Sequence, residues 1–503
     1  MLMRMDRYTK FSRRQFMAFS VFVVLIYHLL RYVHPDIWGQ IYCVYYMFLV
    51  PALIAVYFAY KRLEGPVELK LFVFYWIWIF VSRLLNGDFY LTHDGDMVLN
   101  MGLGCVMMAV CLLLEGKERQ RFLDGISIAV GGFYSLLSVC GLYAALYQKE
   151  LYNPLTGGSL CNFWYYDGLS RLQLLGKHAN ETAVWFFLGF FLLIYLFFRH
   201  KSLLWRIPIV AAAAMNYINL CMTFSRSNMV AFSVCFSLLL AMVILRRLSA
   251  AKMGRQLLAT MGLLLVLLPL SYKSFDITAE IVGRAATELA AVKQQAAEQI
   301  DDATQQTAAV QPEAEAEIEA AEQTDDATSQ TAAVQPEAGA EIVATPAPAI
   351  QPAYSDKRGF SDTGRFTIYR AIIPTMQQEP LRLVRGCLCM DVMKIAHQYL
   401  INKDPHFHNT FLQVLCITGL PGLLLILALC AVLAMRIIRL LFSAAPLEIK
   451  VLTLILIGLF IYNMLEVSLF VAADTRAFVA YILAGAVIAY DKEQNCKTRA
   501  MLS

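Results

Sequence analysis

His408-Asn409-Thr410-Phe411-Leu412-Gln413-Val414-Leu415-Cys416-Ile417-Thr418-Gly419-Leu420-Pro421-Gly422 is the stretch that decides how the chain is read. A titratable ring and an amide stand at the mouth of an apolar run that continues to about residue 435. Hydrocarbon tolerates polar groups only where they have partners or a task. A long polar segment lies upstream, so this stretch reads as the point where an extramembrane insert re-enters a bilayer. A His at such a surface is where a membrane enzyme would keep a base.

Working outward, the same apolar signature recurs along the chain. The 503 residues are 59% hydrophobic, with a mean hydropathy of +0.56, which is too apolar for a soluble domain. Runs long enough to cross a ~30 Å hydrocarbon core fall at roughly 16–33, 38–60, 68–85, 98–114, 123–147, 180–198, 204–223, 228–245, 256–272, 412–435, 449–470 and 477–490. The expected fold is therefore an all-α polytopic membrane protein of about 12 transmembrane helices. One large extracytoplasmic loop separates the ninth from the tenth. Residues 1–272 hold the first nine helices, 273–411 the loop, and 412–503 the last three helices and a cytoplasmic tail.

Charge fixes the orientation. With the N-terminus in the cytoplasm, the inside segments carry Arg4, Arg7, Lys10, Arg13 and Arg14, then Lys61 and Arg62, Lys117, Arg119 and Arg121, and so on to Lys492, Lys497 and Arg499. The short outside loop 86–97 has Asp88, Asp94 and Asp96 and no Lys or Arg. This is a positive-inside pattern, and twelve spans return the C-terminus to the cytoplasm. The apolar run after the basic N-terminus has no small-residue cleavage site and reads as a retained anchor. The net charge of +4 follows from this topology rather than from nucleic-acid binding.

Within the large loop, 301–314 recurs nearly unchanged as 325–338. The stretch 294–355 holds 12 acidic residues and no Lys or Arg; the chain is +4 with these 12 acids and +16 without them. Such Ala/Gln/Glu/Pro-rich sequence cannot bury a core and reads as a disordered or loosely helical spacer. The remainder of the loop, 356–411, carries the polar motifs. Most of the twelve Cys residues fall inside apolar runs and read as small buried hydrophobes. Cys161, Cys387 and Cys389 lie outside, where a bridge is open but not indicated by spacing. No Cys pair has zinc-ligand spacing.

Four polar clusters share the outer face: Arg171 to Thr182, with Lys177, His178 and Asn180; Thr223-Phe224-Ser225-Arg226-Ser227-Asn228; Gly364-Arg365 to Arg370, followed by Glu379-Pro380-Leu381; and His406-Phe407-His408-Asn409. Arg226 sits between two spans on the side that disfavours cations, at a helix start where backbone N–H groups favour anions. A guanidinium there suits a phosphate, or simply snorkels. His408 is followed by Asn409 and Gln413 on the next turn, with His406 as a competing candidate. Glu466, near the outer end of the eleventh span, reads either as functional or as the partner of an Arg.

These motifs, in this order, resemble the O-antigen ligase and O-antigen polymerase superfamily of bacterial envelope enzymes. Ser225-Arg226, Gly364-Arg365, Glu379-Pro380-Leu381, His408-Asn409, Leu412-Gln413 and Gly419-Leu420-Pro421-Gly422 carry the likeness, with Lys177-His178-Ala179-Asn180 before an earlier span. It covers about residues 165–440. The acidic repeat and Arg370 depart from the family pattern.

The resemblance implies a metal-independent glycosyltransferase of the bacterial inner membrane, without cofactor. It would move a glycan from a polyprenyl (undecaprenyl) diphosphate to an acceptor hydroxyl on the outer face, in lipopolysaccharide or related envelope synthesis. Arg226 and Arg365 would hold the diphosphate and His408 would serve the acceptor. Lys177, Asn180, Asn409 and Glu466 would line the glycan and diphosphate site. Asp94-Gly95-Asp96 has metal-binding spacing but lies outside the resembling region. A polymerase joining carrier-linked repeat units remains open. A polysaccharide or lipid transporter would need polar residues deep within several spans, whereas here they collect at the surface.

Overall fold

The structure, a computed structural model, describes residues 13–33, 54, 65–87, 96–147, 149–154, 156–166, 169–175, 177–245, 253–310, 380–387, 407–471 and 474–502. It is helical almost throughout. The helices are α1 Arg13–Val33, α2 Val67–Leu85, α3 Asp96–Leu113, α4 Gly116–Tyr147, α5 Ala179–Arg199, α6 Leu203–Met222, α7 Arg226–Ile244, α8 Met253–Val310, α9 Arg382–Arg385, α10 Thr410–Leu441, α11 Leu447–Asn463 and α12 Thr475–Leu502. Seven of these contain stretches long and apolar enough to cross a membrane, namely α1, α4, α5, α6, α7, α8 and α10, and α3 is a shorter apolar helix. The apolar run 38–60 lies outside the described residues apart from Ile54.

Three differences from the sequence reading matter for function. Between α4 and α5 the chain folds a small antiparallel sheet, β1 Leu151–Tyr152, β2 Ser159–Tyr166 and β3 Leu169–Leu174, in the order β1-β2-β3. Arg171 of β3 pairs with Trp164 of β2. The polar/apolar alternation of Arg171-Leu172-Gln173-Leu174 is the strand signal: Leu172 and Leu174 are buried and Arg171 and Gln173 less so. Second, α8 does not stop at residue 272 but continues to Val310, so the first part of the acidic spacer is helix; its remainder, 311–355, lies outside the described residues. Third, the eleventh apolar run does not stay helical to residue 470. α11 ends at Asn463, whose side-chain carbonyl accepts from Ser468 N (3.0 Å), Ser468 Oγ (3.1 Å) and Leu469 N (2.8 Å). That amide folds the following residues into a loop, and Glu466 stands on the loop rather than in the helix.

α5 is the central helix. Ala179 to Leu196 is almost wholly buried, including Trp185, Phe186, Phe187, Phe191 and Tyr195. His178 caps it by accepting from Asn180 N (3.3 Å), and Glu181 and Arg199 complement its two ends. Phe190 of α5, Tyr217 of α6, Phe232 of α7 and Phe275 of α8 form one aromatic cluster with centroids 4.9–5.5 Å apart for the 190–232, 217–232, 217–275 and 232–275 pairs. Such edge and tilted contacts add to burial and fix α7 against α5.

α10 is broken at Gly419 (φ 68°, ψ −174°), two residues before Pro421. Pro421 has no N–H to give to Ile417 O, and the break also frees the neighbouring carbonyls. In a membrane each of these acceptors needs a partner. Ile417 O accepts from the buried Arg83 guanidinium of α2, Thr418 O from Trp78 Nε1 at 2.7 Å, and Cys416 O from Cys387 N at 2.7 Å. The half-helix that starts at Thr410 is thus held at its far end by α2 and by the residues that follow α9. Cys161 and Cys387 are both free thiols, so no bridge joins them; Cys389 lies outside the described residues.

Candidate active site

α5, α7, α10 and α12 all begin at one end of the bundle, and their first turns are tied together by side chains. Among the described residues, four non-glycine residues have positive φ: Leu175, Phe224, His408 and Phe470. One stands just before each of these four helices. Backbone strain of this kind persists where the surroundings over-determine it, and it concentrates at working sites.

His408 (φ 50°) immediately precedes Asn409, the N-cap of α10. Its Nδ1 lies 3.1 Å from Glu466 Oε2, and the two side chains are 16% and 6% exposed. A carboxylate only accepts, so Nδ1 carries the hydrogen in this pair. The other carboxylate oxygen of Glu466 accepts from Asn180 Nδ2 at 2.6 Å. Asn180 Oδ1 in turn accepts from Arg171 Nη2 at 2.9 Å. The Glu466 loop is pinned to the start of α10 by Thr410, whose hydroxyl donates to Asn463 Oδ1 (2.6 Å), and by Asn409 Nδ2, which donates to Met464 O (2.9 Å). This is a base–orienter pair with its own supports, the arrangement that fixes tautomer and aim in His-centred sites.

The turn 223–225 adjoins this pair. Arg226 is the first residue of α7, is exposed, and makes no hydrogen bond or ion pair among the described residues. Ser225, the N-cap, accepts at its hydroxyl from Asn228 Nδ2 (2.9 Å), shares a hydrogen bond with Ser227 Oγ (3.3 Å) and makes no side-chain cap bond. Asn228 Nδ2 also donates to Asn180 O at 3.1 Å, so the Arg226 turn and the His408–Glu466 pair meet at Asn180. An exposed guanidinium at a helix N-terminus not capped by its own Ser has the chemistry to bind an anion.

Residues 210–427 match the family model for O-Antigen ligase. That segment, less than half of the 503 residues, is similar to the O-antigen ligase superfamily. No curated protein and no solved structure matches the chain. Members of the superfamily are enzymes of the ligase and polymerase type, and this O-antigen ligase relative is an integral membrane protein. The matched span contains Arg226, Arg365, His408 and Asn409. It begins after Arg171, Lys177 and Asn180 and ends before Glu466, so the hydrogen-bond chain behind His408 comes from outside it.

Of the residues expected from sequence, His408, Glu466 and Asn180 come together in one chain of hydrogen bonds. Arg226 joins it through its turn. Asn409 is occupied as a cap, its Oδ1 accepting from Phe411 N (2.9 Å) and Leu412 N (3.1 Å). Lys177 pairs with Glu181 at 3.9 Å, and Glu181 is also reached by Arg476 Nη2 of α12 at 3.4 Å. Arg365 and His406 lie outside the described residues. Sequence reasoning passed over the bond from Arg171 to Asn180, and passed over Arg476 and its buried partner Asp474.

Proposed function

We propose that the chain transfers a glycan from a polyprenyl diphosphate to an acceptor hydroxyl at the outer face of a bacterial inner membrane. The observation that carries this reading is the His408–Glu466 pair, hydrogen-bonded through Asn180 to the turn that presents Arg226. We take the chain to span the membrane about twelve times with both termini in the cytoplasm, as the distribution of Lys and Arg favours.

In the proposed reaction His408 Nε2 accepts the proton of the acceptor hydroxyl. The acceptor oxygen forms a bond to the anomeric carbon while the bond from that carbon to the carrier phosphate breaks. Attack opposite the leaving group inverts the configuration. Charge grows on the departing diphosphate, and fixed cations stabilise it more in the transition state than before it. Arg226 supplies one such cation and Arg365 is proposed as the second, without a metal ion or cofactor. Glu466 keeps Nδ1 protonated and stabilises the imidazolium that forms.

The test is to incubate the full chain, purified into lipid nanodiscs, with an undecaprenyl-diphosphate-linked glycan and candidate glycolipid acceptors. Transfer to the glycolipid is expected. A lengthened carrier-linked product would assign a polymerase instead, and consumption of neither substrate would overturn the transferase reading.

A further inference from the structure

We infer that Arg171 is a positioning residue that locks the base and the diphosphate arginine into one register. The inference rests on the transferase reading and adds to it a mechanical link between the two halves of the reaction.

Arg171 Nε donates to Thr223 O at 2.9 Å and Arg171 Nη2 donates to Asn180 Oδ1 at 2.9 Å. Thr223 is the C-cap of α6 and opens the turn through Phe224 (φ 47°) and Ser225 that presents Arg226. Asn180 is in the first turn of α5 and holds Glu466, which holds His408. Nε and Nη2 belong to one rigid planar fork. A single side chain therefore sets the separation of the Arg226 turn from the His408 support, and an ammonium, which bonds as a point, cannot set it. The strand that carries Arg171 is itself fixed: Leu174 N donates to Thr182 Oγ1 of α5 at 3.2 Å and Leu175 N to Leu160 O at 2.8 Å.

Arg171 also decides which way the Asn180 amide faces. Arg is a donor only, so Asn180 must turn its oxygen to Arg171 and its nitrogen to Glu466. Without the guanidinium the amide is free to rotate and bring its oxygen against the Glu466 carboxylate. His408 then loses its aim, and small misplacements of this sort cost about 100-fold in rate. The loss of the Thr223 bond acts separately, on the turn and hence on the carrier.

The experiment uses the full-length protein in nanodiscs with an undecaprenyl-diphosphate-linked glycan. It reads kcat and KM for the carrier, and reads binding of undecaprenyl diphosphate alone by native mass spectrometry. Asn180→Asp keeps an acceptor for Arg171 but faces Glu466 with a second carboxylate. It should lower kcat about 100-fold and leave the KM for carrier near the wild-type value. Arg171→Met should lower kcat similarly and also raise that KM, with weaker diphosphate binding. Arg171→Lys should not recover both. In the His408→Ala background, Arg171→Met should raise KM without a further fall in kcat, because the two residues act as a unit.

Multiplying kcat penalties in the double variant, or full recovery by Lys, would overturn the inference. Unchanged diphosphate binding in Arg171→Met would overturn it even if that variant's rate fell. If Arg171→Met does not fold, Asn180→Asp and Arg171→Lys still decide the matter. Wild-type protein that binds diphosphate but makes no product would overturn the transferase reading, while the binding comparison would still judge the link.

Discussion

At the scale of residues, the site is a question of which nitrogen of His408 holds the proton. Glu466 Oε2 sits 3.1 Å from Nδ1, and the other oxygen is occupied by Asn180 at 2.6 Å. Glu466→Gln keeps the shape and leaves Asn180 donating to the amide oxygen, so the Gln NH2 must face Nδ1. His408 would then accept at Nδ1 and carry its hydrogen on Nε2, the wrong tautomer for a base. The expected result is a fall in kcat of about 10,000-fold, the effect seen when a triad carboxylate becomes an amide, with unchanged thermal unfolding. A rate within tenfold of wild type would remove Glu466 from the orienting role. His408, Arg226 and Glu466 draw attention in the sequence because a charge beside an apolar run is conspicuous; that His408 and Glu466 meet is seen only in the fold. Asn409 and Asn180 look alike as polar residues at helix starts, yet one caps α10 and the other bridges Arg171 to Glu466, a difference that depends on which helix ends meet.

At the scale of elements, apolar runs announced the helices, and the breaks within them were less visible. Gly419 and Pro421 signal a kink, but nothing in the sequence says that Arg83, over 300 residues earlier, supplies the missing donor to Ile417 O. Arg83 is wholly buried. Arg83→Met should leave a carbonyl unsatisfied in an apolar setting at about 1–3 kcal/mol, lowering the thermal unfolding midpoint. Because the same half-helix begins at Thr410 and anchors the Glu466 loop, the rate should fall as well. Gly419→Ala tests the same joint from the other side. At φ 68° a side chain is strained, and its Cβ would meet the Val384 carbonyl. A variant of either kind as stable as wild type would show that the break is not held this way. The sheet β1–β3 was missed because its strands are short and sit in a loop flanked by long apolar helices, where the stronger helical signal dominates.

At the scale of the whole molecule, the His408–Glu466 pair and the ion pairs of Arg436 stand at opposite ends of α10. Residues 311–350 lie beyond the end of α8, in the acidic repeat, and carry none of the site residues. Removing them shortens the stretch of chain between α8 and α9, and halving the length of a flexible connection changes its closure cost by about 0.6 kcal/mol. Transfer by the deletion protein should stay within about threefold of wild type, measured by product formed per folded molecule. Complete loss would give the repeat a part in the reaction.

The Arg436 end of α10 makes the contrary prediction, of stability lost and chemistry kept. Arg436 of α10 pairs with the buried Glu68 of α2 and, at 2.5 Å, with the buried Asp491 of α12. Arg439 reaches Asp491 at 3.1 Å, and Arg119 of α4 reaches Glu493 of α12 at 2.7 Å. One guanidinium thus joins three helices, 17 residues beyond the Gly419 break in α10, about 26 Å of helix rise. Arg436→Met would leave Glu68 as a buried carboxylate without its counter-ion, and breaking such a pair from one side costs about 3–5 kcal/mol. Asp491 keeps Arg439 and Asn495, the latter at 3.2 Å, so the loss centres on Glu68. Adding Glu68→Gln to Arg436→Met should therefore restore much of the thermal midpoint, since removing both charges avoids the unpaired one. In both proteins kcat and KM per folded molecule should match wild type. A double variant less stable than Arg436→Met alone would show that Glu68 has another buried partner, and a changed kcat would show that the two ends are coupled through α10.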